Sequence, residues 1–178
     1  MKIFLILTAF CCLSPLYGQN QRAPTNINLI IDGSSSLTGV KTEVTNWIIN
    51  RLDLILIDGD VLTIWSAGAS ARVIYTGTVD SAAEIESAKR SIRELSGSGS
   101  SADFSSALRE AAGGRTSSTT YTLLISASQE SLSSTISGPQ GNLLRFSRVE
   151  EFSGWRALVV GLDLDARVRG AAASFFGN

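Results

Sequence analysis

Three continuous apolar runs limit the folds open to this chain more than any other feature. They are INLII from Ile27, YTLLISA from Tyr121 and RALVVGL from Arg156. Runs that are apolar at consecutive positions, rather than at alternate ones, are typical of strands buried on both faces. The chain is therefore predicted to contain a largely parallel sheet that helices cover on both faces.

The segments between these runs have the patterns of helices and of one hairpin. Apolar residues at steps of three and four predict a helix over 37–52, a second helix that begins at Ser81 and a short third helix capped by Asp103. Residues 60–79 form two β-rich runs around a small-residue turn at 67–70, which predicts an antiparallel hairpin.

Together these elements indicate an α/β fold class. The expected architecture is a Rossmann-like three-layer sandwich with a mostly parallel central sheet, one antiparallel edge strand and helices on both faces. Five strands are expected, and a short terminal helix is predicted after the last of them.

The first eighteen residues differ from the rest of the chain. Lys2, an apolar segment and the exit SPLYG indicate a cleaved secretory signal over 1–18, followed by a linker at 19–25 and one domain over 26–178. A secreted or periplasmic location is expected, with no membrane span after cleavage. The alternatives are an uncleaved anchor, although a span needs roughly 20 apolar residues, and lipidation of Cys11 or Cys12.

Composition excludes several kinds of site. The chain has no histidine, and its two cysteines lie in the predicted signal, so histidine-based triads and thiolate zinc sites are excluded from the domain. The formal net charge of −1 gives no basic surface for nucleic acid. An enzyme is not expected, because a serine nucleophile would need Lys41, Lys89 or a carboxylate as its base.

A cluster of oxygen-bearing side chains follows the first apolar run. In α/β sheets ligands sit beyond the carboxyl ends of strands, and the sequence DGSSS occupies that place at residues 32–36. Asp32, Ser34 and Ser36 offer the oxygen ligands that hard divalent ions prefer. In the alternative interpretation, Asp32 and Gly33 form a turn and the three serines cap the helix.

Three stretches resemble motifs of the von Willebrand factor type A domain, called the I domain in integrins. DGSSS fits the D-x-S-x-S motif after the first strand. GSGSSADFSSAL from Gly97 resembles the loop G-T-D-x-x-x-A-L, and LLISASQES from Leu123 resembles a fourth strand that ends in T-D-G. The resemblance extends over residues 26–161.

This resemblance implies a metal-ion-dependent adhesion site at the top of the sheet. In the family the three loops converge there and hold Mg²⁺, and the matching ligands here are Asp32, Ser34 and Ser36. Ala102 stands at the position of the family's loop threonine and Ala127 at that of its strand-four aspartate. We therefore expect either no cofactor or a weakly bound Mg²⁺.

The same resemblance predicts a module that binds another protein, for adhesion or assembly, through the top of the sheet. Further partner contacts are expected from Ser100, Ser101, Asp103, Ser126 and Ser128. Two alternatives stay open, a working Mg²⁺-dependent adhesion domain and a structural subunit of a cell-envelope complex.

Overall fold

The computed structural model describes residues 23–113, 120–144 and 148–160. Within these residues six strands form a single sheet. The strands are β1 (Asn26–Asp32), β2 (Val61–Ala67), β3 (Ala71–Thr78), β4 (Thr120–Ser126), β5 (Arg148–Phe152) and β6 (Trp155–Val160).

The sheet has the order β3-β2-β1-β4-β6-β5. The three central strands, β2, β1 and β4, run parallel, and β3 pairs with β2 antiparallel at one edge. The predicted α/β fold class and its antiparallel edge hairpin are confirmed.

Helices cover both faces of this sheet. They are α1 (Lys41–Ile55), α2 (Ala82–Arg93), α3 (Phe104–Gly113), α4 (Gln129–Ser137) and the short α5 (Gly141–Leu144). Successive side chains of β1 point to opposite faces. Leu29 therefore packs in a core with α1 and α2, whereas Ile30 packs in a second core with α3, α4 and α5. This double burial explains why the strand is apolar at consecutive positions.

The other edge of the sheet differs from the prediction. A single antiparallel edge strand was expected, but β6 also pairs with β4 antiparallel, and β5 pairs with β6 antiparallel beyond it. A two-residue turn at Ser153 and Gly154 joins these strands, and so short a connection permits only antiparallel pairing. The additional strand is β5, which was not predicted because its exposed Val149 and Glu151 leave it without a continuous apolar run.

Local signals in the sequence predicted the starts of two helices correctly, although they did not predict this edge of the sheet. Ser81 caps α2 by accepting a hydrogen bond from the amide of Glu84, and Asp103 caps α3 by accepting one from the amide of Ser106. The serine-rich stretch after β4, for which no element was predicted, forms α4.

Several predictions concern residues outside the described ranges. The signal at 1–18, most of the linker and the terminal helix after β6 belong to this group. Thr25, at the end of the predicted linker, is already anchored because its amide donates to the buried carboxylate of Asp60 at 2.9 Å. Across the described part of the chain, no helix combines the length and the apolar character that crossing a membrane requires.

Candidate functional site

The carboxyl ends of β1 and β4 lie side by side, because the two strands pair in parallel. Three loops meet at the carboxyl ends of these strands, and we call the three loops together the rim. The first loop is 32–36 after β1, the second is 97–103 between α2 and α3, and the third is 126–131 at the end of β4 and the start of α4.

Asp32 joins the first loop to the third. Its carboxylate is fully buried. One oxygen, Oδ1, accepts hydrogen bonds from the amide of Ser34 at 2.9 Å and from its hydroxyl at 2.6 Å. The other, Oδ2, accepts one from the amide of Ala127 at 2.9 Å. The carboxylate therefore closes its own turn and also holds the end of β4.

Ser34 caps the short 3₁₀ helix Ser35–Gly39 that follows. Its Oγ accepts a hydrogen bond from the amide of Ser36 at 3.3 Å, and its side chain is buried. The capping interpretation is therefore correct for Ser34. Ser36 itself is exposed, and the hydrogen bonds from the first loop to the Asp32 carboxylate come from Ser34.

Backbone hydrogen bonds hold the second loop against the first. The amide of Ser98 donates to the carbonyl of Gly33 at 2.7 Å, and the amide of Ser35 donates to the carbonyl of Gly99 at 2.9 Å. Glycine makes this approach possible. A Cβ at Gly97 would collide with the carbonyl oxygen of Ser34, and Gly99 has a φ of +81°, in the region that other residues rarely adopt.

Ser131 joins the third loop to the second. Its Oγ accepts a hydrogen bond from the amide of Ala102 at 2.9 Å and lies 2.9 Å from the Oγ of Ser128. Ser128 in turn receives the amide of Ser131 at 3.1 Å, as the cap of α4. Ser126 donates to the carbonyl of Ser128 at 2.9 Å. The third loop of the rim thus contains a network of buried hydroxyls.

Sequence reasoning did not identify Ser131. Serine three residues after a capping serine is ordinary in a helix start, so nothing local distinguishes it. Its partner Ala102 lies 29 residues earlier in the chain. The contact becomes visible only when the loops are placed in space.

The predicted contact residues separate into two groups. Ser36, Ser100 and Ser101 are exposed, and they lie on the first two loops. Ser126 and Ser128 are only 3% and 8% exposed, and their hydroxyls are used within the third loop. These two serines therefore cannot touch a partner unless the loops move, which narrows the predicted contact surface. Asp103 is half-buried and caps α3.

The donor set at the rim is a poor fit for Mg²⁺. Such an ion prefers an octahedron of oxygens that includes at least one carboxylate, but both oxygens of the buried Asp32 already accept hydrogen bonds. Ala127 and Ala102 contribute amides that point to protein oxygens. Within the described residues, no group of three or more acidic, histidine or cysteine side chains is placed to hold a metal ion.

Comparison with known proteins gave matches among solved structures. Neither the scan against family models nor the search of curated proteins produced a match. Among solved structures, the chain is similar to a von Willebrand factor type A protein from Catenulispora acidiphila, at 20% identity and a TM-score of 0.42. The similarity covers 50% of this chain and 22% of that one. A match at this level does not assign the chain to that family.

Proposed function

We propose that this chain is a protein-interaction module that recognises its partner through the exposed hydroxyls of the rim, without a bound metal ion. The observation that carries the proposal is the hydrogen bonding of Asp32. Its carboxylate links two loops and leaves the exposed serines as the groups available to a partner.

The first two loops of the rim support recognition by neutral hydrogen bonding, whereas the third exposes Gln129 and Glu130. The first loop exposes Ser35 and Ser36, and the second exposes Ser100 and Ser101. Residues 33–40 and 96–102 contain no charged side chain. Polar groups that are short and already held by backbone contacts lose little freedom on binding, which favours affinity.

A catalytic function is not part of the proposal. Of the bases considered, Lys89 on α2 forms one ion pair with Asp53 on α1 at 2.7 Å and one with Glu86 on α2 itself at 3.0 Å. The hydrogen bond to Asp53 raises the pKa of Lys89, with Glu86 acting in the same direction and burial opposing them. A lysine held in its charged form is a poor general base.

The location is also a proposal. The N-terminal sequence motivates a secreted or periplasmic module, because a charged start, an apolar segment and a small-residue exit are typical of a secretory signal. N-terminal sequencing of the protein purified from its own cells tests this, and a mature chain that retains Met1 would contradict cleavage.

Capture of the partner tests the binding proposal. The wild-type chain is used to isolate bound protein from its native source, beside a variant with Ser100→Arg and Ser101→Arg. We expect the variant to lose a partner that the wild type retains in EDTA. Thr78→Arg, an exposed residue at the opposite edge of the sheet, is the matched control. Equal capture by all three proteins would contradict a binding surface at the rim.

Thermal unfolding tests the absence of a metal. A ligand that binds only the native state raises the midpoint of unfolding, so the wild-type chain should show the same midpoint with and without millimolar Mg²⁺. Ala102→Thr with Ala127→Asp adds the hydroxyl and the carboxylate that the family motif carries, and this variant should gain a Mg²⁺-dependent rise. A rise in the wild type would instead support the Mg²⁺-dependent alternative.

A further inference from the structure

The three loops of the rim form a closed ring of hydrogen bonds. The amide of Ala127 ties the third loop to Asp32 on the first, and the amide of Ser35 ties the first loop to Gly99 on the second. Ser131 completes the ring, because its Oγ accepts the amide of Ala102 from the second loop. Each loop is therefore held by its two neighbours.

We propose that Ser131 is a positioning residue for the rim. Its hydroxyl holds the second loop against the start of α4 and thereby sets the positions of Ser100 and Ser101, two residues and one residue before the bonded amide of Ala102. The functional meaning of this position rests on the proposed partner contact of Ser100 and Ser101. The hydrogen bond itself does not depend on it.

The surroundings of Ser131 suit it to this role. Its side chain is 3% exposed and Ala102 is 7% exposed, so water cannot readily replace the contact. The hydroxyl is also held by Ser128, at 2.9 Å between the two Oγ atoms, which fixes its orientation. A buried amide that loses its acceptor is costly. Without the hydroxyl, the second loop should therefore move until the amide of Ala102 meets water.

Because the three loops form a ring, loss of one hydrogen bond between two loops should also affect the hydrogen bonds to the third loop. When the link at Ser131 is removed, the second loop keeps its backbone contacts to Gly33 and Ser35 and the hydrogen bond from the amide of Asp103 to the carbonyl of Gly68, but loses its link to the third loop. The disturbance should reach the amide of Ser35, which donates to Gly99, and should leave the interior of β4 unchanged. A general loss of stability would instead affect all of these amides together.

Hydrogen exchange of individual amides, followed by NMR in the otherwise wild-type chain, tests the proposal. In Ser131→Ala we expect the amide of Ala102 to exchange roughly tenfold faster or more, with a smaller rise at Ser35 and no change at Leu124. Ser134→Ala is the matched control. Its hydroxyl lies on the same helix and donates to the carbonyl of Ser131 at 2.9 Å, without touching the second loop.

Conservative variants separate positioning from bulk stability. Ser131→Thr keeps the hydroxyl and should restore protection of Ala102. Ser131→Cys keeps the shape with a weaker acceptor, gives an intermediate rate, and serves if the alanine variant does not fold. Wild-type protection of Ala102 in Ser131→Ala, or an equal rise at Ala102 and Leu124, would overturn the proposal. No partner is used, so failure of the capture experiment leaves this result standing.

Discussion

Asp32 is the residue on which the rim depends most. Its carboxylate is buried and accepts three hydrogen bonds, two from Ser34 and one from Ala127. Asp32→Ala would leave these donors without an acceptor, and each buried unsatisfied group is costly. We expect the free energy of unfolding to fall by about 2–4 kcal/mol, measured by urea denaturation with and without Mg²⁺.

Two comparisons make this result specific. Asp32→Asn keeps one acceptor oxygen and should lose less stability than the alanine variant. Asp58→Ala removes an exposed aspartate and should change stability by less than about 0.5 kcal/mol. A loss in Asp32→Ala that appears only when Mg²⁺ is present would show that the carboxylate acts through an ion instead of through the amides.

One nearly buried cation, Lys89, joins helix α2 to helix α1 through an ion pair. Lys89 on α2 is nearly buried and pairs with Asp53 on α1, whose side chain is half exposed. A double-mutant cycle of Lys89→Met and Asp53→Asn should give a coupling of about 1 kcal/mol, the upper end for a pair with one exposed partner. The pair Arg93 and Glu86, at 3.8 Å and exposed on both sides, should give a coupling near zero. Equal couplings would show that burial does not strengthen the first pair.

At the scale of the whole molecule, the order of the strands in the sheet determines which strands unfold locally and which unfold only with the whole domain. β1 pairs with a strand on each side along its length and carries apolar side chains into both cores. The edge strands β3 and β5 pair on one side and expose Val73 and Val149. Native-state hydrogen exchange should therefore show β1 exchanging only by global unfolding, and β3 and β5 by local opening. Comparable protection of edge and centre would mean that both edges are covered in solution.

Much of the fold was readable from the sequence, because the signals involved are local. The apolar run before Asp32 implies burial on both faces, and the caps at Ser81 and Asp103 satisfy amides within three residues of themselves. The strand β6 was predicted from its apolar run, but β5 and the antiparallel direction of both strands were not. An exposed strand with charged residues resembles a loop, and only pairing with β6 gives β5 its place in the sheet.

For the rim, the sequence by itself determined which chemical groups are present: three carboxylates at Asp32, Asp103 and Glu130, a series of hydroxyls, no histidine, and alanine at positions 102 and 127. The tertiary structure decided what these groups do. Asp32 meets Ala127 across 95 residues and Ala102 meets Ser131 across 29. Whether DGSSS binds an ion or holds its neighbouring loops depends on which hydrogen-bond donors contact the Asp32 carboxylate in the folded protein. Two of those donors belong to the neighbouring Ser34, but the third is the backbone amide of Ala127 on a distant loop, which no local pattern of side chains encodes.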